Sequence, residues 1–556
     1  MSPPTLSHLP TELLLILFEQ LKVDSVLNIG LTCRSLNRVA IPVFLERLGM
    51  PNPEKSAVVR PGRRGYSDKL GGLMINFALT GIERLVCVLD NNEAEGLYHD
   101  QLGSLTRNMA RINLLIGRLC SVGVVSLVFP SADKWTLRSD VAGKFFANLV
   151  KFLELVVLKS CASIQVVHSH PLNIESNDSI QHGTGTKNSR FRRFGRLLNH
   201  LSSTDSTADA TYTRLIKDSP IPIPSSNTLA HSRLQDLDLR MDFLLAPPLL
   251  EWTLAVMKHS PITSLTLSAI EKKRKKEFQE YLLPQIVRLL PGLQDIKLHF
   301  EGNEFLPAIL ENLPLFPQLK KITLAMAHSV KPPLDLDPNQ NLHFPQLTSF
   351  NASFDQAMYF FKQNITCPIL SSIGIIHISN TTPEPLCDTF STLTNRLSRL
   401  NLTPIISLCL DHIYSCLELF ETDEPRPRSR IASFHIISQL TVFQPTVPKS
   451  EQELGSQIEN VLAWLSLFQG VKRLTVVDRR RVIDPPATHE LRQAAMRTAI
   501  TAVFPNIEFM NLVHLEDKFH YHWSSARNGL ERAIDGIPNV YLPRNKAMDY
   551  FVCCDI

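Results

Sequence analysis

Apolar positions follow two different periodic patterns along the chain, and the first of them occupies residues 9–48. Its first apolar set repeats every three to four residues and consists of Leu13, Ile16, Leu17 and Leu21. Pro10 suits the first turn of such a helix, because its missing N–H has no helical partner there. Asp24 and Thr32 are potential N-caps for two further apolar sets. The pattern predicts three short helices in this segment.

The second pattern is a motif, apolar-x-x-apolar-x-apolar, that recurs from residue 82 onward. Its clearest copies begin at Leu234, Ile262, Leu293, Leu319, Leu347, Leu370 and Leu397. Looser copies begin at Ile82, Val122, Cys161, Ile431, Val471 and Ile507. Five of the ten copies from Leu234 onward have proline two residues before the motif, and helix-like stretches precede several of them. The repeating unit is therefore predicted to be a helix, a turn and a short strand.

The N-terminal segment also carries a more specific signature. It consists of Leu9-Pro10, then Glu12-Leu13-Leu14 with Ile16 and Phe18, then Val26-Leu27, then Cys33-Arg34-Ser35-Leu36. In this order the segment resembles the F-box. The resemblance implies docking onto a Skp1-type adaptor, and through it onto a cullin scaffold, by an apolar helix-in-groove contact. The residues expected to bind the adaptor are Leu9, Pro10, Leu13, Ile16, Phe18, Leu27 and Leu31. An alternative is an N-terminal cap that buries the same leucines against the rest of the chain.

The repeats resemble the irregular repeats of F-box/leucine-rich-repeat proteins, which form large families in fungi. The expected fold class is α/β, with an N-terminal three-helix F-box followed by an irregular leucine-rich-repeat solenoid, or horseshoe. A doubly wound α/β domain is the alternative, because its strands and helices alternate similarly. The expected domains are an F-box at 1–50, a linker at 51–80 and a repeat array at 81–556. Within the array, residues 174–232 are polar and are expected to form a partly disordered insertion.

Polar residues between the apolar positions of each strand form the expected binding surface. Side chains alternate between the two faces of a strand, so these residues are expected to project away from the core, on the concave side of a solenoid. The substrate-binding candidates are Asp236, Asp238, Arg240, Asp295, Lys297, His299, Lys321, Arg399, Asn401, His435 and Arg473. Their charges change from acidic to basic along the chain, which suits electrostatic selection of a protein partner. An ordinary solvated strand face carries similar residues, so both interpretations stay open.

Composition and charge exclude several classes of partner. The 57 Lys and Arg residues nearly balance 53 Asp and Glu residues, which leaves a net charge of +4 and no strong field toward nucleic acid or anionic lipid. No apolar run approaches the roughly 18 residues that cross a bilayer, and no basic n-region of a signal peptide precedes the first apolar run. Ten scattered cysteines without a CxxC pair indicate a reducing compartment. The expected location is the cytoplasm, the nucleus or both.

Signals for catalysis or metal binding are weak. A GxSxG motif is absent, and the string that begins with His489-Glu490 ends in Gln493 instead of the second histidine of a zinc helix. Four residues near the C-terminus, His514, Glu516, His520 and His522, match no common metal-site spacing. We expect no catalytic residues, no metal ligands and no cofactor.

These patterns together predict a non-catalytic, substrate-recognition subunit of a Skp1-cullin-F-box (SCF) type E3 ubiquitin ligase. The helical unit is expected to hold the adaptor, and the repeats are expected to recruit a protein target. Two functional alternatives stay open. One is an F-box scaffold without a ubiquitination role, and the other, more remote, is a cryptic α/β hydrolase.

Overall fold

The computed structural model describes residues 6, 9–60, 69–89, 101–129, 139–168, 229, 232–245, 249–270, 275–300, 302–326, 341–377, 393–399, 404–410, 437–444, 470–478 and 509–514. The chain divides into two compact units, Met1–Lys276 with Arg288–Leu290 and Glu277–Val287 with Pro291–Ile556. Among the described residues, no helix has the length and apolar character needed to cross a membrane.

Three helices begin the first unit, as the apolar pattern predicts. They are α1 (Thr11–Gln20), α2 (Val23–Gly30) and α3 (Arg34–Arg47). The predicted caps are wrong. Asp24 lies inside the first turn of α2, where its charge favours the helix N-terminus. Thr32 donates its hydroxyl to the carbonyl oxygen of Ile29 at 2.7 Å, so it closes the end of α2, and Cys33 is the N-cap of α3.

Strands and helices alternate through the rest of the first unit. The strands are β1 (Ser56–Val59), β2 (Gly81–Val88), β3 (Ser121–Phe129), β4 (Ser163–His168), β5 (Asp236–Leu239) and β6 (Ser264–Ile270). The helices are α4 (Lys69–Ile75), α5 (Gln101–Arg118), α6 (Ser139–Leu158) and α7 (Leu249–His259), and a 3-10 turn covers Asp242–Leu245. Each strand pairs in parallel with the next strand in the chain.

The second unit contains a parallel sheet of the same kind. Its strands, in order, are β7 (Asp295–Phe300), β8 (Lys321–Met326), β10 (Ser349–Ser353), β12 (Ser372–His377), β13 (Ile405–Leu410), β14 (Ile437–Gln444), β15 (Arg473–Asp478) and β16 (Phe509–His514). Two short strands, β9 (Asn341–His343) and β11 (Asn364–Thr366), pair with each other.

Short helices lie before β7 or between the strands that follow it. They are α8 (Lys275–Glu277), a π turn at Phe278–Leu282, α9 (Leu283–Leu289), α10 (Leu306–Asn312) and α11 (Phe354–Lys362). Two 3-10 turns, Asn303–Phe305 and Leu313–Leu315, flank α10. The rings of Phe350 on β10 and Phe360 on α11 stack with their centroids 4.0 Å apart, so α11 packs directly on the sheet.

Alternate residues of β5 and β7 form the core, whereas residues 85–88 of β2 are buried at every position. In β5, Leu237 and Leu239 are fully buried, and in β7 the residues Ile296 and Leu298 are fully buried, while the polar residues between them lie on the opposite face. Within each unit the described strands follow the order of the chain. A doubly wound sheet reverses its strand order at a switch point, so that alternative is wrong for the described strands.

The repeat motif places most of the strands but fails at one copy. The copy at Leu397 is wrong because residues 393–399 are helical, and β13 begins only at Ile405. The copy at Ile431 begins outside the described residues, and β14 follows it at Ile437.

The segment expected to be a linker, 51–80, contains β1 and α4, so it is not a simple linker. The parallel sheet of the first unit therefore begins before the first copy of the motif. The expected insertion at 174–232 lies outside the described residues, apart from residues 229 and 232.

Candidate adaptor-binding surface

Helix α1 separates its apolar side chains into a buried face and an exposed face. Leu14 and Phe18, one turn apart, are buried in the core, and the exposed fraction of Phe18 is 0%. Leu13 and Ile16 point the other way, with 51% and 58% of their surface exposed. We call the exposed set the α1 surface, and it consists of Leu9, Leu13, Leu15, Ile16 and Leu17. So many exposed leucine and isoleucine side chains on one helix are typical of a protein-binding site.

The position of α1 is fixed by an arginine from α3. The guanidinium group of Arg47 donates to the carbonyl oxygens of Phe18 and Leu21, both at 2.6 Å. These carbonyls lie at the C-terminus of α1, where a positive charge is favoured, and that of Phe18 also accepts from the backbone N–H of Leu21 at 3.2 Å. The exposed side chains are therefore carried on an anchored helix.

Helices α2 and α3 form the base of the domain. Their buried side chains include Val26, Ala40, Ile41, Phe44 and Leu45. Gly30 allows a close approach, because a Cβ at this residue would lie 2.5 Å from Cδ1 of Ile41. Leu31, directly after α2, is 58% exposed.

The structure separates the expected adaptor-binding residues into three groups. Leu9, Pro10, Leu13, Ile16 and Leu31 are exposed, and Leu27 is half-buried. Phe18 is a correction, because it lies in the core of the domain and is not available to a partner. The exposure of Leu13 and Ile16 also shows that the alternative of a cap buried against the rest of the chain is wrong. The sequence reasoning missed Leu15 and Leu17 as exposed residues, although Leu17 lies one helical turn after the exposed Leu13.

A model of the F-box-like family matches residues 6–45. Residues 6–45 form an F-box-like domain. The match covers α1, α2, all but the last two residues of α3 and the whole α1 surface, and F-box domains generally bind Skp1-type adaptors. A comparison with curated proteins found no match to this chain. The F-box-like domain therefore carries the family evidence, and the repeats are characterised by their structure.

The F-box-like domain is joined closely to α4, and the side-chain amide of Asn37 is central to this contact. Its Nδ2 donates to the carbonyl oxygens of Gly30 and Ile75, both at 3.0 Å, and its Oδ1 accepts from the backbone N–H of Phe77 at 3.2 Å. Asn37 is buried, so these bonds form away from solvent. One amide thus links the end of α2 to the end of α4.

A glycine on α4 brings the two parts into direct contact. A Cβ at Gly72 would lie 2.6 Å from Cε1 of Phe44 and 2.9 Å from Cδ2 of Leu45. Arg118, at the end of α5, donates to the carbonyl oxygens of Leu73, Met74 and Asn76. Hydrogen bonds and close packing therefore continue from the F-box-like domain through α4 to the first helix of the repeats.

In the first unit, the expected substrate-binding residues lie on β5. Asp238 is almost completely buried and forms an ion pair with Arg240 at 2.9 Å. Asp236 accepts a hydrogen bond from the hydroxyl of Ser163 at 2.6 Å through its Oδ2. Both carboxylates therefore take part in contacts within the sheet, which reduces the charge that they present to a partner.

In the second unit, the expected residues lie on the face opposite the core. Asp295, Lys297 and His299 alternate with the buried residues of β7, and Asp295 is directly opposite Lys321 of β8. Arg473 is exposed at the start of β15.

Three further candidates are not placed on this strand face. Arg399 is a correction, because it belongs to the helical segment 393–399 and not to a strand. Asn401 and His435 lie outside the described residues.

The described residues hold no group of three or more His, Cys, Asp or Glu side chains that is able to bind a metal ion. His514 ends β16, and the other three residues of the C-terminal cluster lie outside the described residues. Burial raises the pKa of the Cys161 and Cys367 thiols to about 12, and it also raises the pKa of Cys87. These thiols are protonated at neutral pH, so they are poor nucleophiles.

Proposed function

We propose that the chain is the substrate-recognition subunit of a Skp1-cullin-F-box type ubiquitin ligase. The observation that carries this proposal is the α1 surface, an exposed apolar helix face within an F-box-like domain. The domain binds the adaptor, the adaptor links the chain to the cullin, and other subunits perform the chemistry. The compartments in which such a complex works are the cytoplasm and the nucleus, and we place the chain there.

The α1 surface has the chemistry of a helix-in-groove contact. Full burial of a leucine or isoleucine side chain contributes about 1.5–3 kcal/mol relative to exposure. Leu13 and Ile16 are each more than half exposed, so much of this free energy is available only when a partner covers them. Arg47 holds the helix in place before binding, which reduces the entropy lost on docking.

We further propose that the repeats form a leucine-rich-repeat solenoid that recruits the target. The support is the alternation of helices and parallel strands, in which the strands of the main sheet of each unit pair in chain order once the separate pair β9 and β11 is set aside. A solenoid built in this way presents a continuous row of strand faces. The polar residues of these faces, including Lys297, Lys321 and Arg473, are the proposed contacts to a protein target.

The test is the affinity of the purified full chain for a Skp1-type adaptor, measured by isothermal titration calorimetry. We expect tight binding by the wild-type chain and at least a tenfold loss when Leu13 and Ile16 are both changed to alanine. Leu158→Ala is the matched control, because Leu158 is also an exposed leucine on a helix but lies in the repeats. Equal affinity of the wild-type and double-variant chains contradicts the proposal.

A second measurement separates a ligase subunit from a scaffold. The complex is reconstituted with the cullin, the ubiquitin-conjugating enzyme and a target captured by proximity labelling. Transfer of ubiquitin to that target, dependent on Leu13 and Ile16, supports the ligase function. Adaptor binding without transfer to any captured target supports the scaffold.

A further inference from the structure

Phe77 is an exposed aromatic residue directly beside the F-box-like domain but outside the segment that matches the family. It follows α4 by two residues, and 59% of its surface is exposed. Large aromatic side chains contribute strongly to protein interfaces when they are buried. Phe77 belongs to the first unit, as the F-box-like domain does.

The Asn37 amide brings Phe77 next to Leu31. Its Oδ1 accepts from the backbone N–H of Phe77, and its Nδ2 donates to the carbonyl oxygen of Gly30, the residue before Leu31. Leu31 and Phe77 therefore flank the same buried amide, and their side chains are 58% and 59% exposed. Two exposed apolar residues that are far apart in the sequence are therefore joined through one side-chain amide.

Arg34 lies beside Phe77 and adds a positive charge next to its ring. Its guanidinium carbon lies 6.0 Å from the centroid of the Phe77 ring, within the range of a cation–π contact. Arg34 and Arg38 are both exposed and are separated by one turn of α3. We name Leu31, Arg34 and Phe77 the Phe77 patch.

We infer that the Phe77 patch extends the adaptor contact beyond the family-matched segment, through Phe77, and that it binds an apolar adaptor segment flanked by carboxylates. This inference rests on the proposed adaptor-binding function. Leu31 makes the patch continuous with the F-box-like domain, and the exposed arginines favour an acidic partner segment.

The patch is ordered before binding. The Phe77 backbone is held by the Asn37 amide, and the Ala78 backbone N–H donates to Oδ1 of Asn76 at 3.1 Å. A partner that covers Phe77 therefore loses little entropy in ordering this segment. The contact with Asn37 uses only the Phe77 backbone N–H, so an alanine at this position keeps the hydrogen bond while it removes the ring.

The experiment measures the affinity of the purified full chain for the adaptor with Phe77→Ala. We expect about tenfold weaker binding, equivalent to about 1.4 kcal/mol. Arg34→Glu is expected to weaken binding more at low salt than at high salt, since exposed charge interactions are screened by ions. Leu158→Ala is the matched control and keeps the wild-type affinity.

The outcomes distinguish this inference from the proposed function. Affinity of Phe77→Ala and Arg34→Glu within twofold of wild type, together with a loss on changing Leu13 and Ile16, overturns the patch and leaves the adaptor function intact. No adaptor binding by the wild-type chain overturns both. Thermal unfolding of each variant identifies any loss of affinity that is due to misfolding. In that case the salt dependence of the affinity of Arg34→Ala decides: a weaker salt dependence than that of the wild-type chain supports the patch, and an equal one overturns it.

Discussion

Ile16 and Phe18 are two residues apart on α1, yet one is exposed and the other belongs to the core. The sequence Leu13–Phe18 is apolar at every position, so its period does not reveal which side faces inward. The inward side is set by α3, which packs on α1 and binds its last carbonyls through Arg47. Tertiary contacts, which no local pattern encodes, therefore decide which of these residues is available to bind.

Alanine substitutions at these two residues are expected to have opposite effects. Phe18→Ala removes a fully buried ring and is expected to lower the free energy of unfolding by about 3–5 kcal/mol. Ile16→Ala is expected to change it by less than about 0.5 kcal/mol while it weakens adaptor binding. Urea unfolding and calorimetric titration measure the two quantities. A stable Phe18→Ala chain with weakened binding means that Phe18 is an adaptor contact after all.

The buried thiols predict how the stability of the fold depends on pH. Folding raises the pKa of Cys161 and Cys367 from an ordinary value of 9.0 to about 12 by burial. The protonated thiols therefore add stability that is fully present below about pH 9 and is lost as the pH rises toward 12. We expect the urea concentration at the unfolding midpoint to be lower at about pH 10.5 than at about pH 8. Cys161→Ala should reduce the fall, whereas Cys33→Ala, at an exposed thiol, should not.

Elements were predicted well where only one periodicity fitted, and poorly where two competed. The motif at Leu293 fits a strand alone, because Pro291 and Gly292 end the preceding helix, and β7 begins two residues after Leu293. At Leu397 the motif fits equally well with a helix, because Leu393 lies four residues earlier and both side chains are buried on a helical segment. The contact of Asn37 with α4 could not be predicted, because a single buried amide leaves no periodic signal.

Strand spacing gives a prediction for β2 and β3. A Cβ at Gly123 would lie 2.5 Å from the backbone oxygen of Glu83, and a backbone atom cannot rotate away. Gly123→Ala is therefore expected to cost about 1–3 kcal/mol of stability. Gly117→Ala is the matched control, since no atom lies within 4 Å of its Cβ position. That helix variant should be unchanged or slightly more stable in urea unfolding.

The Asn37 contact gives a prediction for the joint between α2 and α4. Asn37→Ala leaves the carbonyl oxygens of Gly30 and Ile75 and the N–H of Phe77 without this partner. We expect a loss of about 2–4 kcal/mol, because buried polar groups without partners are costly. Asn28→Ala, at an exposed position of α2, is the control. Similar urea midpoints for both variants would mean that solvent replaces the amide.

For the whole molecule, the two units provide separate reporters of unfolding. Cys87 and Cys161 are buried in the first unit, and Cys367 is buried in the second. We expect thiol reagents to modify Cys33 and Cys120 in the native chain and the three buried thiols only after unfolding. Peptide mapping across a urea series then gives a midpoint for each unit. Early modification of Cys87 or Cys367 in native buffer contradicts their burial.

The chain-order pairing of strands also affects how such a protein changes during evolution. Within each unit the strands of the main sheet pair in chain order, so duplication or deletion of one such strand and its helix disturbs only the two adjoining interfaces. Lineages can therefore lengthen or shorten the array while the amino-terminal helices stay unchanged. New binding specificities can arise by copying a module, without a redesign of the framework that carries it.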